Sequence, residues 1–122
     1  MTRTMQVADL QGHSLGSTFT ARGVRGTLDL NPFLNIDLAE LTGPVFSVHP
    51  HAGFSVATYA FEDSTTRFAN RDSLGDRSRI EGGGMRWTVS GSGIVHDEFV
   101  EEVGRMGHGA QIFVRTPVDD EL

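Results

Sequence analysis

The apolar residues of this 122-residue chain come in short runs that alternate with polar ones, and fifteen glycines punctuate them. The pattern is clearest at Met85-Arg-Trp-Thr-Val-Ser90. Period two places Met85, Trp87 and Val89 on one face and Arg86, Thr88 and Ser90 on the other, so the apolar stripe is expected to pack into a core. Ser17 to Val24, Leu28 to Leu38, Phe54 to Phe61, Ile94 to Phe99 and Ala110 to Arg115 read as further strands. Turn chemistry separates them at Gly43-Pro44, Asp72 to Asp76, Gly82-Gly83-Gly84 and Gly91 to Gly93, and Arg25-Gly26 is a further break. Helix is disfavoured around Pro32, which pushes Asn31 away from the helical region. Glu98 to Arg105 makes one helical turn at most. Many short strands at this spacing predict an all-β sandwich or barrel. Residues 62 to 70 read as a polar loop or irregular hairpin, residues 1 to 16 as an arm or edge strand, and residues 119 to 122 as an acidic tail.

The length suits one domain around one core. The net charge of −6, with no Lys/Arg cluster, argues against a direct nucleic-acid partner. No apolar run is long enough to span a bilayer, and Met1 to Leu10 lacks the apolar stretch of a signal peptide. A cytoplasmic location is therefore expected. Cysteine is absent, which removes disulfides, a thiol nucleophile and thiolate metal sites. Any metal must be held by nitrogen and oxygen.

His49-Pro-His51 is then the feature of interest. On an extended segment both imidazoles face one side, with Cβ atoms roughly 6–7 Å apart, which one ion can bridge. His96 and Glu98 share a face by the same spacing, while Asp97 points away. Each pair has a simpler reading: a polar loop for the first, a hydrogen-bonded core histidine and an exposed strand carboxylate for the second. Brought together, they would give one divalent ion three neutral imidazoles and one carboxylate, a set that suits iron, nickel, manganese, copper or zinc. Positions left open on such an ion serve oxygen chemistry and chelating substrates. His13 and His108 have no partner at a matching spacing, and His108 reads as structural. Asp72-Ser73 reads as a turn. Gly82 to Gly84 is not a phosphate loop, since no helix and no Lys follow.

Gly43, five residues, then His49-x-His51 resembles the first cupin motif. The runs NPFLNIDLAE, HPHAGFSVATY, RDSLG, MRWTVSGSGIVHDE and HGAQIFVRTP resemble the amino-terminal domain of pirin, in the pirin order. The resemblance implies one cupin β-barrel over residues 17 to 118, built from two antiparallel sheets of jelly-roll type. It implies His49, His51, His96 and Glu98 as metal ligands, with iron as the usual ion. It also implies either a dioxygenase of the quercetin 2,3-dioxygenase type or a non-enzymatic, metal-dependent regulatory module. In the first case a small aromatic or enolic substrate is expected, with Glu98 accepting its hydroxyl proton and Phe46, Phe54 and Met85 as pocket walls. Three departures stand out. The second pirin cupin domain is missing, so a homodimer is expected to cover the face it would occupy. Ser55 stands where a Glu is common. The 62–70 segment is longer than the usual turn, and Gly83-Gly84 stands near the common Gly-Asp.

Overall fold

The computed structural model describes residues 4–24 and 28–116. The Arg25-Gly26 break and the acidic tail lie outside them. Ten strands follow in chain order: β1 (Gln11–Leu15), β2 (Phe19–Gly23), β3 (Phe33–Leu41), β4 (His49–His51), β5 (Phe54–Ala60), β6 (Phe68–Asp72), β7 (Arg79–Ile80), β8 (Met85–Val89), β9 (Ile94–Val100) and β10 (Gly107–Arg115). They form a six-stranded sheet in the order β1-β2-β3-β10-β5-β8 and a four-stranded sheet in the order β4-β9-β6-β7, and every pairing is antiparallel. The strands expected from alternation are present, except that the one read over Leu28 to Leu38 begins only at Phe33 and runs on to Leu41; β1 is the outermost strand of the larger sheet. Among the described residues no helix is long and apolar enough to cross a membrane.

The two faces of the larger sheet carry the opposite polarity from the one alternation suggested. Register aligns Asp37, Gln111, Thr58 and Arg86 in one row across β3, β10, β5 and β8, and this polar row faces the smaller sheet. The neighbouring rows face outward. One is Ile36, Ile112, Ala57 and Trp87; the next is Leu38, Ala110, Tyr59 and Met85. Met85, Trp87 and Val89 are 59%, 53% and 50% exposed, so they are not core, and Met85 is not a pocket wall; Arg86 and Ser90 are the buried ones. Period two divides a strand into two faces but does not say which faces inward. Here the interior supplies partners for the polar face, so burying Arg86 leaves nothing unsatisfied.

Residues 62 to 70 also need correction. The segment is not all loop, because its last three residues, Phe68, Ala69 and Asn70, are buried in β6. Phe68 packs with Ala60 and Val100 in the apolar core, against Leu41 and Ile80. That gain outweighs the polar look of Asn70, Arg71 and Asp72. Strand β10 passes this ring closely. A Cβ on Gly107 would lie 2.8 Å from Val100 Cγ1 and 2.9 Å from Phe68 Cζ, so only glycine fits there without a shift.

Candidate metal centre

Strands β4 and β9 pair so that His49 stands directly opposite His96, and His51 opposite Ile94. Pro50, between the two half-buried histidines of β4, is exposed, as its missing N–H requires at a sheet edge. The three imidazoles converge: Nε2 of His96 lies 2.9 Å from Nε2 of His51 and 3.1 Å from Nε2 of His49. All three offered nitrogens lie within 4.8 Å of one another.

Their tautomers follow from their other partners. Nδ1 of His49 is 2.8 Å from the Ser47 carbonyl, which can only accept, so Nδ1 carries the proton. Nδ1 of His96 is 3.0 Å from Asn70 Oδ1, while the Asn70 amide nitrogen donates to Asp76 at 2.8 Å. Nδ1 of His96 is therefore also the donor. Both Nε2 atoms then present bare lone pairs at 3.1 Å, an arrangement that repels unless a cation sits between them. Metal–imidazole bonds of about 2.0–2.1 Å place two nitrogens at right angles on one ion about 3 Å apart. The trio fits a metal ion, and the carbonyl and carboxamide behind it do what outer partners of metal-bound histidines do.

His51 is pushed down to about 4, first by burial and then by the charges of His96 and His49, with Glu98 pulling the other way. His96 is lowered too, first by burial, then by His49 and Arg86. A lowered folded-state value means that the unfolded chain binds more protons. The metal-free protein is thus expected to hold its full stability from these groups above about pH 6.5, the ordinary histidine value. It should lose that stability as the pH falls toward about 4. Thermal unfolding of metal-free protein between pH 7.5 and 4.5 checks this, and a flat melting temperature would contradict it.

Glu98 lines the same cavity but does not join the histidine cluster. Its carboxylate accepts from Thr58 Oγ1 at 3.2 Å, Gln111 Nε2 at 3.2 Å and Arg86 Nη1 at 3.3 Å. Asp97 turns away, as its parity requires, and pairs with Arg71. The cavity holds about 430 Å3 and is walled largely by Phe19, Phe46, Phe99 and Phe113. Phe54 stands beside it, its ring 5.2 Å from that of His51. Ser55 is buried away from the histidines, its hydroxyl 3.0 Å from that of Thr116. His108 is structural: it contacts Asp63 at 2.8 Å and packs on the Phe61 ring. His13 lies against Phe19, with ring centroids 5.7 Å apart. Sequence reasoning missed Asn70, Thr58, Arg86 and Gln111. Their one available signal was a polar residue at the period of a strand.

The pirin family model matches residues 12–114. The chain belongs to the pirin family. A candidate quercetin 2,3-dioxygenase of Pseudomonas aeruginosa is 34% identical over 97 residues, covering 75% of this chain and 33% of that protein. The Escherichia coli pirin YhhW, solved in complex with nickel(II), superposes with a TM-score of 0.71 at 20% identity, covering 87% of this chain and 48% of that one. An RmlC-like cupin of Shewanella frigidimarina superposes with a TM-score of 0.61 at 15% identity, covering 90% of this chain and 87% of that one. The fold is an all-β cupin. The pirin-family chain thus spans about a third of the length of its Pseudomonas relative and about half that of YhhW.

Proposed function

We propose that this pirin-family cupin is a metal-dependent dioxygenase of the quercetin 2,3-dioxygenase type, acting on a small aromatic substrate with an enolic hydroxyl. The observation that carries the reading is that His49 and His51 of the histidine trio line an aromatic-walled cavity of about 430 Å3, with His96 buried behind them. That volume lies within the range of about 300–1,000 Å3 usual for small-molecule sites. His49, His51 and His96 would hold the ion, iron first, with nickel, manganese, copper and zinc compatible with the same donors. When bound, the ion supplies open positions for a chelating oxygen pair and for oxygen chemistry. The protein's part is to orient and to exclude water. Phe46 and Phe113 flank a planar ring, and Glu98 accepts the enolic proton when that hydroxyl lies within hydrogen-bond reach. With no cysteine, the chain also suits the reducing cytoplasm.

The test is oxygen uptake by metal-loaded protein given quercetin and related flavonols. Uptake that requires the ion and is lost in His49→Ala supports the enzyme. Full metal occupancy with no uptake across the panel favours the alternative, a metal-dependent binding or regulatory module.

We also propose that a second copy of the chain covers the outer face of the larger sheet. The outward rows described above, with Val89 beside them, carry no formal charge. Two molecules of net charge −6 repel elsewhere but not there. Four strands about 4.8 Å apart and some seven residues long at about 3.3 Å each give a footprint on the order of 400 Å2. That is a fit centre for an interface of about 800 Å2 per partner.

A further inference from the structure

Two polar side chains of the cavity wall take no part in the chemistry described so far. Asn35 and Asp37 are two apart on β3, so strand parity turns both to the inner face, and both line the cavity. Asn35 Nδ2 donates to Asp37 Oδ2 at 2.6 Å, which fixes the direction of the carboxylate. Register sets the distance of this pair from the histidines. Asn35 stands opposite Phe113 on β10, and the Phe113 ring lies 5.7 Å from that of His51. One strand spacing of about 4.8 Å beyond Phe113 puts the pair roughly 10 Å from the His51 ring. The wall next to the trio is aromatic. Phe113 borders His51, and Phe46 borders His49 at 6.2 Å, with Phe19 a further 5.3 Å on. Gln111 stands opposite Asp37 and gives its amide nitrogen to Glu98 at 3.2 Å, so it separates the two cavity carboxylates.

We infer that Asn35 and Asp37 bind a hydroxyl on the end of the substrate remote from its chelating oxygens. The inference rests on the substrate reading above and narrows its class. The substrate is an aromatic molecule more than one ring long, with the enolic hydroxyl at one end and a phenolic hydroxyl at the other. An ionised carboxylate only accepts, so Asp37 selects an O–H, and Asn35 takes one of the roughly four acceptor positions of such a group. A phenol donating to a carboxylate makes a charge-assisted bond, stronger than one to a neutral acceptor. A distal methoxy group would displace water from Asp37 and return no proton. A distal carboxylate would meet a like charge, and among the described residues no Lys or Arg lines the cavity.

The test is binding to the zinc-loaded full chain, because zinc holds a chelating ligand without redox chemistry. Isothermal titration compares 3-hydroxyflavone with its 7-hydroxy and 4′-hydroxy derivatives and with the methyl ethers of those added hydroxyls. At least one hydroxy ligand is expected to bind about tenfold tighter than 3-hydroxyflavone, the worth of one net hydrogen bond. Its methyl ether should lose that gain. Asp37→Asn should cut the gain to about threefold or less, while 3-hydroxyflavone itself binds within about twofold of its affinity for the parent, since its chelating end does not reach Asp37. Hydroxy ligands no tighter than their methyl ethers, or an undiminished gain in folded Asp37→Asn, would overturn the inference and leave the chelating site standing. The ether comparison needs no variant, so it decides the matter even where Asp37→Asn does not fold. A zinc-loaded parent that binds none of these ligands would sink the substrate reading as well.

Discussion

Replacing His96 by Ala is expected to abolish stoichiometric metal binding, while Asn70→Ala only weakens it. Nε2 of His96 is common to both short contacts of the trio, at 2.9 and 3.1 Å, and the residue is 1% exposed. Neither β4 histidine can move across to replace it, because their spacing is set by the strand and the Ser47 carbonyl holds His49. Asn70 acts one step back, fixing the ring through Oδ1 and held in turn by Asp76. Loss of such an outer partner costs about 10–100-fold in affinity, and loss of the ligand itself should exceed that. Competition titration with a chromophoric chelator, together with metal analysis of the dialysed protein, ranks the two variants. Full occupancy in His96→Ala would contradict the site. The ranking also separates a centre from a mere cluster, since three histidines meeting by chance would give Asn70 no leverage over an ion.

The histidines are legible in the amino-acid sequence because the information that places them is local. His49 and His51, and His96 and Glu98, are each two apart on a strand, and one antiparallel pairing brings the first three together. What lies outside the reach of local pattern is the destination of Glu98. Parity puts it on the right side of β9, but three donors from strands distant in sequence decide what its oxygens touch. The same limit explains Met85, Trp87 and Val89. Assigning the apolar stripe inward assumes an oily interior, and the interior of this barrel is partly a polar pocket that Arg86 helps to build. Phe68 escapes for a related reason, since one ring in a run of polar residues gives no period to read, yet it anchors the core. Gly107 is intelligible only once the Phe68 ring beside it is known.

The inverted sheet has a consequence in solution. Trp87→Glu is expected to convert a dimer of this chain into a monomer, raising the dissociation constant at least 100-fold. Trp87 is 53% exposed in the molecule and lies in the outward row with Ala57, Ile112 and Ile36. A tryptophan that anchors an interface is worth about 2 kcal/mol or more when truncated, and an unpaired carboxylate buried in its place on the edge strand β8 adds to the loss. Together these exceed the roughly 2.8 kcal/mol that corresponds to a hundredfold change. The fold should survive, because β8 keeps its pairing with β5, and the inward Arg86 contacts lie on the other side of the strand. Light scattering on size-exclusion fractions over a range of concentrations measures both chains, and cobalt loading of the variant reports whether the centre is intact. A parent chain that stays monomeric throughout would reject the second copy as occupant and leave the face to further polypeptide. A Trp87→Glu chain that dimerises as tightly as the parent would place the interface elsewhere. The expected result ties the two surfaces of one sheet together: the same alternation that turns Arg86 inward to hold Glu98 turns Trp87 outward, so the polar pocket and the apolar contact face come from one strand read at opposite parity.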